Sequence, residues 1–107
     1  MLSIAQIIIG QLGATTLALL GAHTLIDIKD GLQFRIRGCR TINLIQIILD
    51  PCDTYTVRFY KVQAQEKNKL GLSYTEIVWH LVSTHSDIYC DMLHDLIGQQ
   101  TDLYTTI

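Results

Sequence analysis

Four side chains that can bind metals or act as nucleophiles lie close together near the C-terminal end: His80, His85, Cys90 and His94. On one helix Cys90 and His94, four residues apart, would share a face, as a pair of zinc ligands requires. No second pair with a fixed ligand spacing accompanies them, and His85 falls in the turn that precedes the predicted helix. A metal site is therefore the alternative, and polar surface with a core-facing cysteine is the preferred interpretation.

The same stretch contains the elements of a thiol nucleophile, with His80 or His94 as the base for Cys90. The thiolate is the reactive form, so such a site needs an electropositive setting. This setting is acidic, because three carboxylates lie on a common side of the helix: Asp87, Asp91 and Asp95. We therefore expect no enzymatic activity, and a metal- or thiol-dependent enzyme around His80, Cys90 and His94 stays the weak alternative.

A second candidate for chemistry is the carboxylate pair Asp50 and Asp53, which flanks Pro51 and Cys52. Aspartates in tight turns commonly bond to their own backbone, and a general acid–base pair would also need a pocket. The sequence contains neither GxxxxGK[ST] nor GxGxxG, so it has no nucleotide-binding signature. We expect no cofactor and no resident metal.

The strongest binding candidate is a basic sheet face. Arg35 and Arg37 share one side of a predicted strand, Arg58 and Tyr60 share the outward side of another, and Arg40 lies in the connection. If the helices cover the opposite face, this face is open and presents Gln33 and Gln46 as well. Such a surface can contact phosphates and stack bases, which predicts a small nucleic-acid-binding module.

The same residues also suit a protein partner, including a second copy of the chain. Arginine and tyrosine are favoured in protein interfaces, and Leu44 and Ile48 would add apolar area on that face. The plain alternative is a solvated sheet face whose arginines protect the edges against aggregation. We expect protein contacts with a homodimer as the first hypothesis, and nucleic acid as the second.

Composition agrees with that order. The net charge is −2, so the whole chain has no electrostatic attraction for nucleic acid. Only 17% of residues are charged and 49% are hydrophobic, against about 25% charged in typical domains, so some apolar side chains must be exposed or covered by a partner. The three cysteines are an odd number without CxxC spacing, which favours a reducing cytoplasm over a disulfide framework.

The first elements are predicted to be a helix and a strand. Ser3 can cap a helix that begins at Ile4, and Gly13 can end it in a left-handed conformation. Residues 15–20 form a β-rich apolar run closed by Gly21, which predicts a strand. Polar residues and glycines interrupt residues 4–22, so we expect neither a signal peptide nor a membrane span there.

The middle of the chain alternates as antiparallel strands do. Residues 24–28 and 32–37 flank an Asp30-Gly31 hairpin signal. Residues 41–49 and 54–62 predict two further strands, and residues 50–53 predict the turn between them. Residues 64–73 are the most polar stretch and predict a flexible loop.

The last part is predicted as a strand and a helix. Residues 74–84 favour a strand by their β-branched and aromatic content, with a helix as the alternative. A final helix starts at Ser86 or Asp87, ends at Gly98 and is followed by a tail at residues 101–107. The prediction is one α+β domain over residues 1–107, with four or five antiparallel strands between terminal helices on one face.

Several short segments resemble a family of small uncharacterised proteins encoded by bacteriophages and related mobile elements. The segments are QLG at 11–13, LGA at 20–22, LQF at 32–34, DTY at 53–55, IYCDML at 88–93 and TDLYT at 101–105. The family shows a similar VY-(A/C)-D-x-L helix start and a closing TGLYT, where Asp102 stands in place of the glycine. The resemblance implies a phage or prophage origin, with a location in the bacterial host cytoplasm or the virion. It implies no activity, cofactor or catalytic residue.

The resulting hypothesis is a non-enzymatic phage accessory protein that acts through protein contacts, as a structural component or as an antagonist of host defence.

Overall fold

The computed structural model describes residues 3–101 as three helices and a five-stranded antiparallel sheet. The elements, in order, are α1 (Ile4–Leu12), α2 (Ala14–Leu20), β1 (His23–Ile28), β2 (Gly31–Arg35), β3 (Leu44–Leu49), β4 (Tyr55–Lys69), β5 (Leu72–Ile88), a 3₁₀ turn (Cys90–Met92) and α3 (Leu93–Thr101). The strands lie in the sheet in sequence order. The predicted α+β class is confirmed. Residues 102–107, which contain the rest of the predicted tail and of the closing TDLYT motif, lie outside the described residues.

The predicted start of α1 is confirmed by a capping box. The Ser3 hydroxyl accepts a hydrogen bond from the Gln6 backbone N–H at 3.2 Å, and the Gln6 side chain accepts one from the Ser3 N–H at 2.9 Å. Both bonds satisfy N–H groups that have no partner inside the helix. Gly13 ends α1, with φ at +85°, and its carbonyl starts α2 by accepting from Leu17 N–H.

The predicted strand at residues 15–20 is wrong, because this segment is helix α2. Thr16 and Leu20, four residues apart, are both buried on one helical face. Gly21 adopts the left-handed conformation, and the N–H of Ala22 reaches back to the Leu17 carbonyl, which closes the helix end. Within residues 3–101 no helix is both long enough and apolar enough to cross a membrane.

Strands β2, β3 and β4 follow the predicted alternation, whereas β1 buries neither face: residues 24–27 are exposed, and its register shifts between His23 and Ile26. The β1–β2 hairpin turns through Lys29 and Asp30, and the Asp53 N–H donates to the Asp50 carbonyl in the turn before β4. Gly31 is required at the start of β2, because an added Cβ would lie 2.2 Å from the Ile47 carbonyl oxygen. The hairpin and the turn are both confirmed.

The predicted loop at residues 64–73 is also wrong, because it forms the end of a long β4–β5 hairpin. Pairing continues without interruption to Lys69 opposite Leu72. The two turn residues, Leu70 and Gly71, have positive φ angles of 55° and 77°, as a type I′ turn requires. The strand predicted at residues 74–84 is confirmed and is longer, from Leu72 to Ile88.

The last helix begins later than predicted. Residues 86 and 87 still belong to β5, since Ile88 pairs with Tyr55 after an irregularity at which Asp87 has a φ of 57°. Helix α3 starts at Leu93, and Gly98 lies inside it rather than at its end. Pairing with the first residue of β4 therefore outweighs the local capping signals of Ser86 and Asp87.

All three helices cover the same face of the sheet, as predicted for the N-terminal and the C-terminal helix. Their buried apolar residues pack in one core with the inward residues of the strands: Ile8, Leu20, Leu93 and Ile97 from the helices, and Leu32, Phe34, Ile45, Ile47, Val57 and Phe59 from the sheet. The other face has no helix over it in the described residues. We call it the outer face.

Candidate interaction surface

The outer face gathers five of the six predicted binding residues. In the strand register Gln33 lies opposite Gln46, and Gln46 lies opposite Arg58. The next row places Arg35 opposite Leu44, and Leu44 opposite Tyr60. Directly opposed residues of antiparallel strands point to the same side, so these side chains form two adjacent rows.

The first row is held by a side-chain hydrogen bond. The Gln46 amide donates to the Gln33 carbonyl oxygen at 2.8 Å, in a half-buried position. In the second row Leu44 is only 2% exposed, although no helix of residues 3–101 lies over this face. The outer face therefore has a buried apolar residue between Arg35 and Tyr60.

Arg37 and Arg40 do not belong to these rows. Arg37 lies beyond the end of β2, where its backbone N–H donates to the Leu20 carbonyl at the end of α2. Gly21 lets the chain pass there, since an added Cβ would lie 3.0 Å from the Arg37 Cβ. Arg40 is exposed in the connection to β3.

An apolar strip continues the outer face along the β4–β5 hairpin. The register pairs Tyr60 with Leu81, and Val62 with Trp79, while Ile77 lies two pairs further out, on the same face. The Tyr60 and Trp79 rings make an edge-to-face contact, with centroids 5.4 Å apart. Three members of the strip are about half exposed: Trp79 is 46% exposed, Leu81 56% and Ile77 59%.

The strip runs onto an arm that leaves the body of the protein. Beyond Val62, β4 has no neighbour except β5 among the described residues, so the arm is a two-stranded ribbon over residues 63–78. The radius of gyration is 15.4 Å, and the longest axis is 51 Å. A compact chain of this length would have a radius of gyration of about 13 Å, so the arm extends the molecule.

Asn43 fixes the root of the arm. Its side-chain N–H₂ donates to the Val62 carbonyl at 2.8 Å, and its side-chain oxygen accepts from the Val62 N–H at 2.7 Å. Its own backbone N–H donates to the Tyr60 carbonyl. Asn43 directly precedes β3, and its amide side chain thus continues the pairing with β4 beyond the first residue of β3.

The predicted metal and thiol residues are dispersed. His80 lies on β5 opposite Lys61, whereas Cys90 is exposed in the 3₁₀ turn after β5. His94 is on α3, with its Nδ1 3.5 Å from an Asp95 carboxylate oxygen. Across residues 3–101 no three histidines, cysteines or carboxylates are arranged to hold a metal ion.

His85 has a structural setting. It lies opposite Val57, its ring packs edge-to-face on Phe59 at 5.7 Å, and its Nε2 lies 3.3 Å from the Ser83 hydroxyl. His85 therefore lies within β5 and not in the predicted turn before the helix, and its ring packs on a core phenylalanine.

Asp50 and Asp53 are turn residues. The Asp50 carboxylate accepts a hydrogen bond from the Thr56 hydroxyl at 2.7 Å, and Asp53 occupies a left-handed position with φ at 68°. Both line an open cleft of about 360 Å³ beside Asp30 and Ile4. The two residues thus lie in the predicted turn, but the partner of the Asp50 carboxylate is the Thr56 hydroxyl and not the turn backbone that the sequence led us to expect.

Sequence reasoning missed the arm and Asn43. Ile77, Trp79 and Leu81 alternate along the predicted strand, but the partner of Ile77 is Ala64, which lies in the predicted loop at residues 64–73.

No protein-family model, curated protein or solved structure matches the chain.

Proposed function

We propose that this protein is a non-enzymatic accessory protein that works by protein contacts and self-associates. The observation that carries the proposal is the apolar strip on the outer face at the root of the arm, formed by Tyr60, Val62, Ile77, Trp79 and Leu81. A phage-encoded role in the host cytoplasm or the virion, structural or directed against host defence, rests on the sequence resemblance.

The energetics of the arm support a partner. A two-stranded ribbon alone is at best marginally stable in water. At the root of this ribbon Ile77, Trp79 and Leu81 are about half exposed, and large aromatic side chains dominate the energy of protein interfaces. Covering the strip would stabilise both the ribbon and the complex.

The test is the concentration dependence of the molecular mass, measured by sedimentation velocity on the full chain. We expect the wild type to form a dimer in the micromolar range, with a blue shift of the single tryptophan as Trp79 becomes covered. The variant Ile77→Thr/Leu81→Thr should weaken association at least tenfold. The matched control is Leu25→Thr, which removes a side chain 41% exposed on β1, away from the strip.

Two results would contradict the proposal. One is a wild-type chain that stays monomeric at several hundred micromolar. The other is equal loss of association in the strip variant and in the Leu25→Thr control, because the contact would then lie outside the strip.

Nucleic-acid binding is the second candidate, because the register does bring Arg35 and Arg58 onto one open face with Gln33 and Gln46. Tyr60 favours the first candidate, since its ring already contacts Trp79 within the apolar strip. A gel-shift series over increasing salt distinguishes them. Phosphate contacts predict steep salt dependence that Arg35→Ala/Arg58→Ala abolishes and Arg37→Ala spares; no shift at low salt excludes this candidate.

A further inference from the structure

The two free edges of the arm differ in chemistry. The β4 edge beyond Val62 has the sequence QAQEKNK at 63–69, which contains three charged residues and no large apolar side chain. The β5 edge reads LSYTEIVWHL at 72–81, with large apolar residues, no lysine, no arginine and no proline. Natural sheet edges are protected by lysine, proline or bulges, and no irregularity interrupts β5 between Leu72 and Leu81. Lysines therefore protect the β4 edge, whereas the β5 edge has no lysine, no proline and no bulge between Leu72 and Leu81.

The hydrogen bonds of Asn43 show which backbone groups the β5 edge presents. Both backbone groups of Val62 point toward Asn43 on the β3 side, so Val62 and Trp79 form a pair without hydrogen bonds between them. The N–H and C=O of Trp79 therefore point away from β4, toward the free edge. Alternation extends this to every second residue of the regular segment: Ser73, Thr75, Ile77, Trp79 and Leu81. Within residues 3–101 no other strand pairs with this edge.

We propose that β5 pairs antiparallel with β5 of a second copy of the chain, about a two-fold axis at Val78, to give a continuous ten-stranded sheet. This inference rests on the self-association proposed above and specifies its partner and geometry. A two-fold axis makes the contact closed and self-complementary, so that it ends at two chains.

The sequence of β5 selects the register. A centre at Val78 places Glu76 opposite the partner's His80, and Ile77 opposite the partner's Trp79. The first pair joins a carboxylate acceptor to an imidazole donor, and the second is a β-branched residue against an aromatic one, which is a favoured cross-strand pair. A centre at Glu76 would oppose the two Glu76 carboxylates, and a centre at Ile77 or Trp79 would leave Glu76 opposite valine.

The backbone agrees with the same centre. The residues that point to the free edge then meet one another, Ile77 with Trp79 and Thr75 with Leu81, and their reciprocal pairs give about eight interchain hydrogen bonds. The two Val78 residues form a pair without hydrogen bonds, with Cα atoms about 4.5 Å apart. That separation lies within the range of a disulfide, which makes the register testable.

The experiment is disulfide cross-linking of full-length chains in which Cys39, Cys52 and Cys90 are serine and one new cysteine is introduced. Val78→Cys should form a covalent dimer at least ten times faster than Gln63→Cys. Gln63 is the matched control, because it lies directly opposite Val78 on the other strand of the arm, at the same distance from the tip. In the proposed dimer the two Gln63 positions are separated by three strand spacings, about 14 Å.

A charge exchange gives a second measurement in the native cysteine background. Glu76→Lys and His80→Glu should each weaken the dimer about tenfold, since every dimer contains the opposed pair twice. The double variant Glu76→Lys/His80→Glu should restore wild-type affinity. Restoration requires that the two positions face each other, which independent surface effects would not produce.

The outcomes separate this inference from the proposed function. The β5 pairing alone would be overturned by two results in a chain that still dimerises through the apolar strip. Gln63→Cys would cross-link at least as fast as Val78→Cys, and the double variant Glu76→Lys/His80→Glu would fail to restore the affinity of the dimer. A wild-type chain that remains monomeric would overturn both.

Discussion

Removing the side chain of Asn43 tests whether one amide anchors the arm. The variant Asn43→Ala loses both hydrogen bonds to Val62, at 2.8 Å and 2.7 Å, in a half-buried position. Each such bond contributes about 0.5–1.5 kcal/mol net. We therefore expect the free energy of unfolding to fall by about 2 kcal/mol, a change of about thirtyfold in the folding equilibrium.

The assay is urea unfolding followed by circular dichroism and by the fluorescence of Trp79, the residue opposite Val62. Hydrogen exchange of the Val62 amide in the native protein reports the same contact locally and should become faster. The matched control is Asn68→Ala, on the same hairpin near its tip, where the residue is exposed. It should change the free energy of unfolding by less than about 0.5 kcal/mol.

A loss below about 0.5 kcal/mol in Asn43→Ala, with unchanged exchange of the Val62 amide, would refute the reasoning. The arm root would then be held by strand pairing alone, and the two short bonds would contribute nothing measurable. An equal loss in Asn68→Ala would show instead a general effect of removing an asparagine from the hairpin.

Three further changes have outcomes fixed by local geometry. Leu70→Asn should raise the free energy of unfolding by about 1 kcal/mol, because Leu70 is 93% exposed in a left-handed position that asparagine adopts more readily; a lower midpoint in urea would contradict this. Gly31→Ala should cost about 3 kcal/mol or more, since its Cβ would lie 2.2 Å from the Ile47 carbonyl oxygen, and near-wild-type urea stability would disprove that close approach. Burial raises the pKa of Tyr55 against the opposing effect of its 2.7 Å hydrogen bond to Gln11, so in an absorbance titration Tyr55 should ionise above the ordinary tyrosine pKa of about 10. Because the neutral phenol is favoured in the fold, its contribution is complete below the unfolded pKa of about 10 and falls as the pH rises above it; a Tyr55→Phe chain should lose this part of the alkaline destabilisation.

The local sequence was sufficient where one signal dominated. The Ser3 cap, the hairpin before Gly31 and the turn at Asp50 each depend on a few adjacent residues whose backbone preferences agree. The alternation of residues 32–37, 41–49 and 54–62 likewise predicted which side chains share a face, and so placed Arg35, Arg58 and Tyr60 together. Strict alternation over a half-buried sheet leaves no other arrangement that buries the apolar side.

Tertiary contacts decided the rest. Residues 15–20 are equally apolar as a strand or as a helix, and the burial of Thr16 and Leu20 against the sheet together with the Gly21 closure selects the helix. Residues 64–69 show no apolar periodicity because neither face of the arm is buried there, so only pairing with β5 makes them a strand. The position of β5 at the edge, and the reach of Asn43 to Val62, join residues far apart in the chain. No local pattern encodes such contacts, because their free energy exists only once the strands have met.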